Sequence, residues 1–135
     1  MMNTDIIQQS VMLGEKLGHI FVATADAEGL PHLAAAGQMR YISGKRVEIA
    51  AWFCPGTLAN LQHNRRISLT VWDARKDSGY QLLGKVEEIE EGAVMNGYMP
   101  EVKGESPIPQ FERKLQVHID KVIAFSHAPH SDVER

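Results

Sequence analysis

Hydrophobic and polar residues alternate with a period of two over several short runs of the chain. Val47, Ile49, Ala51 and Phe53 interleave with Glu48, Ala50 and Trp52; Ile67, Leu69 and Val71 interleave with Ser68, Thr70 and Trp72. This alternation marks strands with one face turned to a core. Pro55 and Gly56 break the first run. Residues 57–64, TLANLQHN, then read as a short helix, with Thr57 as its N-cap and Asn64 closing it in the left-handed conformation. Residues 46–73 are thus predicted to run strand, tight turn, short helix, strand.

The same reading extends along the chain. Residues 4–17 carry a rough helical face of Ile6, Val11, Leu13 and Leu17, with Thr4 as cap, Asp5 in the first turn and Gly18 as stop. Residues 19–25 read as a strand, Asp26-Ala27-Glu28-Gly29 as a turn, and residues 30–41 as a second strand. The middle of that strand, Ala34-Ala35-Ala36-Gly37, has almost no side-chain bulk. Three alanines suit a helix by propensity, but Pro31 before them and Gly37 after them do not. Small residues in a strand leave room for a neighbouring backbone or for a flat ligand, and the pattern does not separate the two. Ser43-Gly44-Lys45 reads as a hairpin turn. Residues 74–79 form a polar loop. Residues 80–90 form a strand in which Gly84 marks a bulge or bend. Residues 93–98 suggest one or two helical turns, residues 100–109 a loop, residues 111–125 the last strand, and residues 126–135 a loose tail. The total is about six strands joined mostly by short turns, a mainly β (α+β) chain pointing to a small antiparallel barrel.

At 135 residues the chain is expected to be one domain, 1–135, with residues 1–17 as its N-terminal helix. A net charge of −3 gives no electrostatic reason to expect nucleic acid or an anionic membrane as partner. No apolar run approaches the ~20 residues of a membrane span, and the N-terminus lacks the basic start and apolar core of a signal peptide. Cys54 is the single cysteine, so no intrachain disulfide forms, and a cytoplasmic location fits best.

Candidate chemistry concentrates around residue 55. A helix starting at a strand end presents free N–H groups and a positive dipole end, which suit a phosphate or carboxylate. Gly56 lets a ligand approach the backbone, and the Thr57 hydroxyl can bond either that ligand or its own helix. On spacing alone, an ordinary capped connector helix is the simpler account. Trp52 and Phe53 end the preceding strand and could border a planar ring, with Trp72 as counterpart; core packing is the default for either alone. No metal motif appears among His19, His32, His63, His118, His127 and His130. Cys54 has no base beside it in sequence and reads as an inert small residue. There is no Walker loop, dinucleotide fingerprint or nucleophile elbow, and no side chain stands out as an acid–base catalyst.

The order of these elements resembles the pyridoxamine-5′-phosphate-oxidase-like, FMN-binding split barrels. It is most similar to the small predicted flavin-nucleotide-binding proteins and the short bacterial FMN-binding protein of that family. The resemblance covers roughly residues 18–125. It rests on Ala23-Thr24-Ala25-Asp26 through Gly29-Leu30-Pro31-His32, like the family's strand, D-x-x-G-x-P, strand opening. It rests also on Thr57-Leu58-Ala59-Asn60-Leu61 followed by Asn64-Arg65-Arg66-Ile67-Ser68-Leu69, and on the strand Tyr80-Gln81-Leu82-Leu83-Gly84-Lys85-Val86.

The resemblance implies a six-stranded antiparallel split β-barrel with a few short helices. It further implies a homodimer with FMN at the subunit interface, and a small-molecule electron donor or substrate. Carried over, Gly56, Thr57 and Asn60 fall on the phosphate turn. Ala51, Trp52, Phe53 and Cys54 fall on the strand edging the ring. Ala36, Gly37 and Gln38 fall on a strand whose backbone faces the flavin, with Arg40 as a phosphate partner and Gln81 contributed by the other subunit. One departure stands out: many members have a lysine where this chain has Gly56. A charge-assisted bond worth about 1.5–3 kcal/mol when buried is absent there, and Arg40, Arg65 or Arg66 are the candidates to replace it. The segments with which true pyridoxamine phosphate oxidases hold their substrate also have no counterpart, so that reaction is not expected. The resemblance leaves three readings: an FMN-dependent oxidoreductase, a non-catalytic holder of flavin, haem or another planar ligand, and a deazaflavin-dependent reductase of the same fold. Gly56 in place of lysine favours the non-catalytic one slightly.

Overall fold

The structure, a computed structural model, describes residues 4–98, 108–129 and 133–135, with backbone alone at 95–98, 108 and 109. In chain order its elements are α1(Thr4–Leu17), β1(Ile20–Ala25), β2(Pro31–Ala36), β3(Gln38–Ser43), β4(Arg46–Phe53), α2(Pro55–His63), β5(Arg66–Asp73), β6(Ser78–Tyr98) and β7(Ile108–Phe125). All strand pairings are antiparallel, and the strands form one sheet in the order β2-β1-β5-β6-β7-β4-β3.

The two edge strands, β2 and β3, are neighbours in the chain, separated only by Gly37. The sheet must therefore curl until its edges meet at that corner. No ladder joins β2 to β3, so the sheet is not closed into a barrel. This corrects the expectation of six strands. The run read as one strand over residues 30–41 is cut at Gly37, because its two halves pair with opposite ends of the sheet.

The alternating positions of β4 and β5 behave as their period requires. Val47, Ile49 and Phe53 and Ile67, Leu69 and Val71 are buried, and they meet Ile20, Val22, Leu82, Leu115, Val117 and Ile119 in one core. Helix α1 covers this core with Ile7, Ser10, Val11 and Gly14, a face rotated from the one expected, while Ile6 and Leu13 pack at its margin. Gly14 permits the close approach: a Cβ there would lie 3.1 Å from Ile20 and 3.2 Å from Val71. Gly84 marks a bulge, as its sequence context suggested. The β6–β7 register shifts between Leu83 and Gly84, and a Cβ at Gly84 would run into the His118 carbonyl.

Three further expectations change. Residues 93–98 are strand, not helix, because they belong to the long β6 ladder opposite β7. The expected loop at 100–109 lies mostly outside the described residues, and 108–109 already belong to β7. The tail after β7 is not loose where it is described. The His127 and Ala128 amides donate to the Asp77 carboxylate at 2.6 and 2.8 Å, and Glu134 bridges to Ile123. No described helix is long and apolar enough to cross a membrane.

Candidate functional site: the cleft at the sheet corner

Helix α2 begins earlier than the pattern suggested. Its N-cap is Cys54, with Pro55 in the first turn, and Thr57 lies inside the helix. Proline is preorganised for the first helical position and lacks the N–H that would otherwise be left over there, so it sets the start. At the other end Asn64 is extended, at φ −143°, rather than left-handed, and its amide donates to the Asn60 carbonyl at 2.8 Å.

This shift changes what the α2 residues can do. Cys54, Pro55 and Gly56 are exposed, and the space around Gly56 is open. Thr57 is fully buried, and its hydroxyl has no hydrogen-bond partner among the described residues. The Asn60 amide donates to Thr24 Oγ1 on β1 at 3.1 Å, so this side chain ties α2 to the sheet. Phe53 is 2% exposed and belongs to the core. Arg40 is ion-paired with Glu48 at 3.0 Å across the β3–β4 ladder. Gln81 donates to Ser68 Oγ at 2.8 Å on the outer sheet face.

The remaining candidates converge. Ala36, Gly37, Gln38, Ala51 and Trp52 line one cleft of about 660 Å³, together with Ala35, Ala50, Glu112, Arg113 and Lys114. The cleft sits at the corner where β2 passes into β3, beside the end of β4. Apart from its chain neighbours, Gly37 has no atom of the described residues within 4 Å of where a Cβ would stand. Its walls on this side are therefore almost pure backbone and alanine, with Trp52, 38% exposed, at the rim. The small-residue run thus faces open space at Gly37, whereas Ala36 itself is buried.

Two residues that the sequence reading did not single out bring positive charge. The β4–β7 register sets Ala50 opposite Lys114, Ala51 opposite Arg113 and Trp52 opposite Glu112. The Arg113 guanidinium stacks over the Phe111 ring at 5.2 Å and donates to the Glu112 carbonyl at 2.8 Å, which holds it beside the cleft. The visible trace of these residues in the sequence is a basic pair directly before the alternating run that starts at Leu115. Glu112 Oε1 accepts from the Ala93 amide at 3.4 Å. Chemically, the cleft offers a flat, small-walled slot, one indole and two cations to one carboxylate. That set suits a planar ligand with an anionic end. No cluster of three metal-ligating side chains occurs among the described residues.

Comparison with known proteins agrees with this architecture. Residues 13–123 match the family model described as pyridoxamine 5′-phosphate oxidase. Among solved structures, HupZ of Group A Streptococcus is similar at a TM-score of 0.63 and 23% identity, over 95% of this chain and 99% of that one. A pyridoxamine 5′-phosphate oxidase-related, FMN-binding protein of Nostoc punctiforme is similar at a TM-score of 0.59 and 10% identity, over 90% and 83% of the two chains. A structure named F420 reductase is similar at a TM-score of 0.55 and 14% identity, over 82% and 93%. No curated protein matches the chain significantly. With the family match spanning most of the sequence and the shared fold beside it, the chain belongs to the pyridoxamine 5′-phosphate oxidase family.

Proposed function

We propose that this protein binds a flavin, FMN, in the cleft at the Gly37 corner and uses it to pass electrons or hydride between small molecules. The observation that carries the reading is the cleft itself: backbone and alanine at Ala35, Gly37 and Ala50, an indole at Trp52, and Arg113 and Lys114 at one side. Its volume falls within the range of small-molecule sites. A flavin ring would lie against the small-residue wall, and Arg113 and Lys114 would meet its phosphate. These two cations take the place of the turn lysine that Gly56 replaces. The bound flavin would supply the redox chemistry; the chain's own residues position it, shield it from water and tune it by charge. No acid–base catalyst is assigned among them.

The cofactor would be shared between two copies of the chain. Leu33 is 64% exposed on edge strand β2, two residues before Ala35 in the cleft wall, and Trp52 is 38% exposed at the cleft's rim. A second copy covering that rim would complete the site and bring its Gln81 towards the ring. The likeness to the FMN-binding protein of Nostoc punctiforme supports the choice of cofactor. The likeness to an F420 reductase favours a deazaflavin as second reading.

The test is the visible spectrum of the purified protein followed by titration of FMN fluorescence. Saturable quenching is expected. Absence of quenching at tens of micromolar protein would remove FMN from the account, and absorption typical of a deazaflavin would favour the second reading. Reduction of the bound flavin by NAD(P)H separates an enzyme from a non-catalytic carrier.

A further inference from the structure

A second cleft, of about 630 Å³, lies at the other end of the sheet and shares no lining residue with the first. Its floor is mostly apolar, Ala23, Ala25 and Leu83 with Pro31 at the edge, and Ser68 lies between Ala23 and Leu83 in the ladder. Its rim is charged. Arg66, Lys85 and Lys121 supply three cations, and Asp120 and Glu134 supply two carboxylates.

The sheet geometry explains how these charges gather. Leu83 pairs with Lys121 and Gly84 with Ile119, so Asp120 is the extra residue of a β-bulge. A bulge re-aims the side chains beside it, and here it sets Asp120 and Lys121 at the cleft. One ladder over, Arg66 pairs directly with Lys85 across β5 and β6. Like charges placed opposite each other on a sheet are destabilising. Among the described residues none of the three cations has an ion-pair partner, although Asp120 lies 3.3 Å from His118 Nδ1. Arg66 and Lys85 are exposed, so water screens much of their repulsion, and an anion settling between them would relieve the rest.

From this we infer a second ligand site, for a small amphipathic anion: a phosphate monoester or carboxylate on an apolar or aromatic body. The body lies on Ala23, Ala25 and Leu83. The anionic group meets Arg66, Lys85 and Lys121. Glu134, carried by the tail that Asp77 pins down, walls one side and disfavours more highly charged ligands.

The test uses phenyl phosphate on the full chain, followed by ¹H–¹⁵N amide shifts, with inorganic phosphate, benzoate and phenol as separate probes. Saturable shifts at Ala23, Ala25, Leu83 and Lys121 below about 10 mM phenyl phosphate are expected, with phenol and inorganic phosphate each weaker. A response to benzoate as strong as that to phenyl phosphate assigns carboxylates as the class; a weaker one assigns phosphate monoesters. Arg66→Gln and Lys85→Gln should each weaken binding about tenfold, as expected for one lost charge-assisted bond. Glu134→Gln should tighten binding about twofold, a change of opposite sign that unfolding does not produce. No saturable shift, or unchanged affinity in Arg66→Gln and Lys85→Gln, overturns the site. Displacement of phenyl phosphate by FMN overturns its independence from the first cleft. No step here requires flavin, so loss of FMN binding leaves this site standing; Ser68 in its floor accepts from Gln81, which the proposed second copy approaches, so the titration is run on protein of known oligomeric state.

Discussion

Before Phe53 returns to the core, strand β4 has two parts with opposite duties. Val47 and Ile49 are wholly buried between β3 and β7, each matched by a branched partner, Val117 and Leu115. Directly after Ile49, Ala50, Ala51 and Trp52 border an open cleft, and their partners on β7 are Lys114, Arg113 and Glu112. The backbone pairing is continuous through both parts. What differs is side-chain volume and charge. Where volume is complete the strand stabilises the fold, and where it is withheld the strand leaves room for a ligand. The two properties are therefore separable by substitution, within a single ladder.

The largest expected effect lies in the core part. Ile49→Ala should destabilise the protein by about 2–5 kcal/mol in denaturant unfolding, through lost transfer energy and a residual cavity. The folded fraction should still bind FMN. Next, Arg113→Gln should weaken FMN binding about tenfold in a fluorescence titration while moving the unfolding midpoint little. Equal losses of stability and binding in both variants would break the distinction.

Thr57 offers a smaller effect that sharpens it. Its buried hydroxyl lacks a partner among the described residues, so Thr57→Val, which keeps the shape, should leave FMN affinity unchanged and raise stability by about 1 kcal/mol. Weaker FMN binding in this variant would return the α2 start to the site.

The smallest effect is at the tail. The amides of His127 and Ala128, chiefly, hold the Asp77 carboxyl below its ordinary value of 3.8, with a further bond from Trp72 Nε1. A depressed carboxyl pKa contributes stability that is complete above the ordinary value and is lost as pH falls through the lower folded one. Acidification through and below about pH 3.8 should therefore release the tail and alter Trp72 fluorescence, and Asp77→Asn should abolish that transition.

Much of this was legible because it is local. Alternation in β4 and β5, the turn at Gly44 and the bulge at Gly84 all follow from neighbouring residues. So did Ala36, Gly37 and Trp52 at the cleft, through the small-residue run and the aromatic strand end, whereas Gln38 and Ala51 were expected there only from the family resemblance. What was not legible depends on long-range pairing. The split at Gly37 follows from β2 and β3 occupying opposite sheet edges. The strand character of 93–98 comes from a ladder with the far end of β7. Arg113 and Lys114 reach the cleft only through the β4–β7 register. The start of α2 was misplaced for a local reason: the N-cap preference of Thr57 was outweighed by Pro55.

The most direct measurement is an FMN titration of Ala50→Phe beside the unaltered protein, with stability measured in parallel. Ala50 faces the cleft across from Gln38 and Lys114, so a phenyl ring there fills the slot without entering the core. The expected result is saturable quenching by the unaltered protein, and affinity lowered more than tenfold in the variant at nearly unchanged stability. FMN binding of equal strength in both proteins would contradict the placement of the flavin at the Gly37 corner.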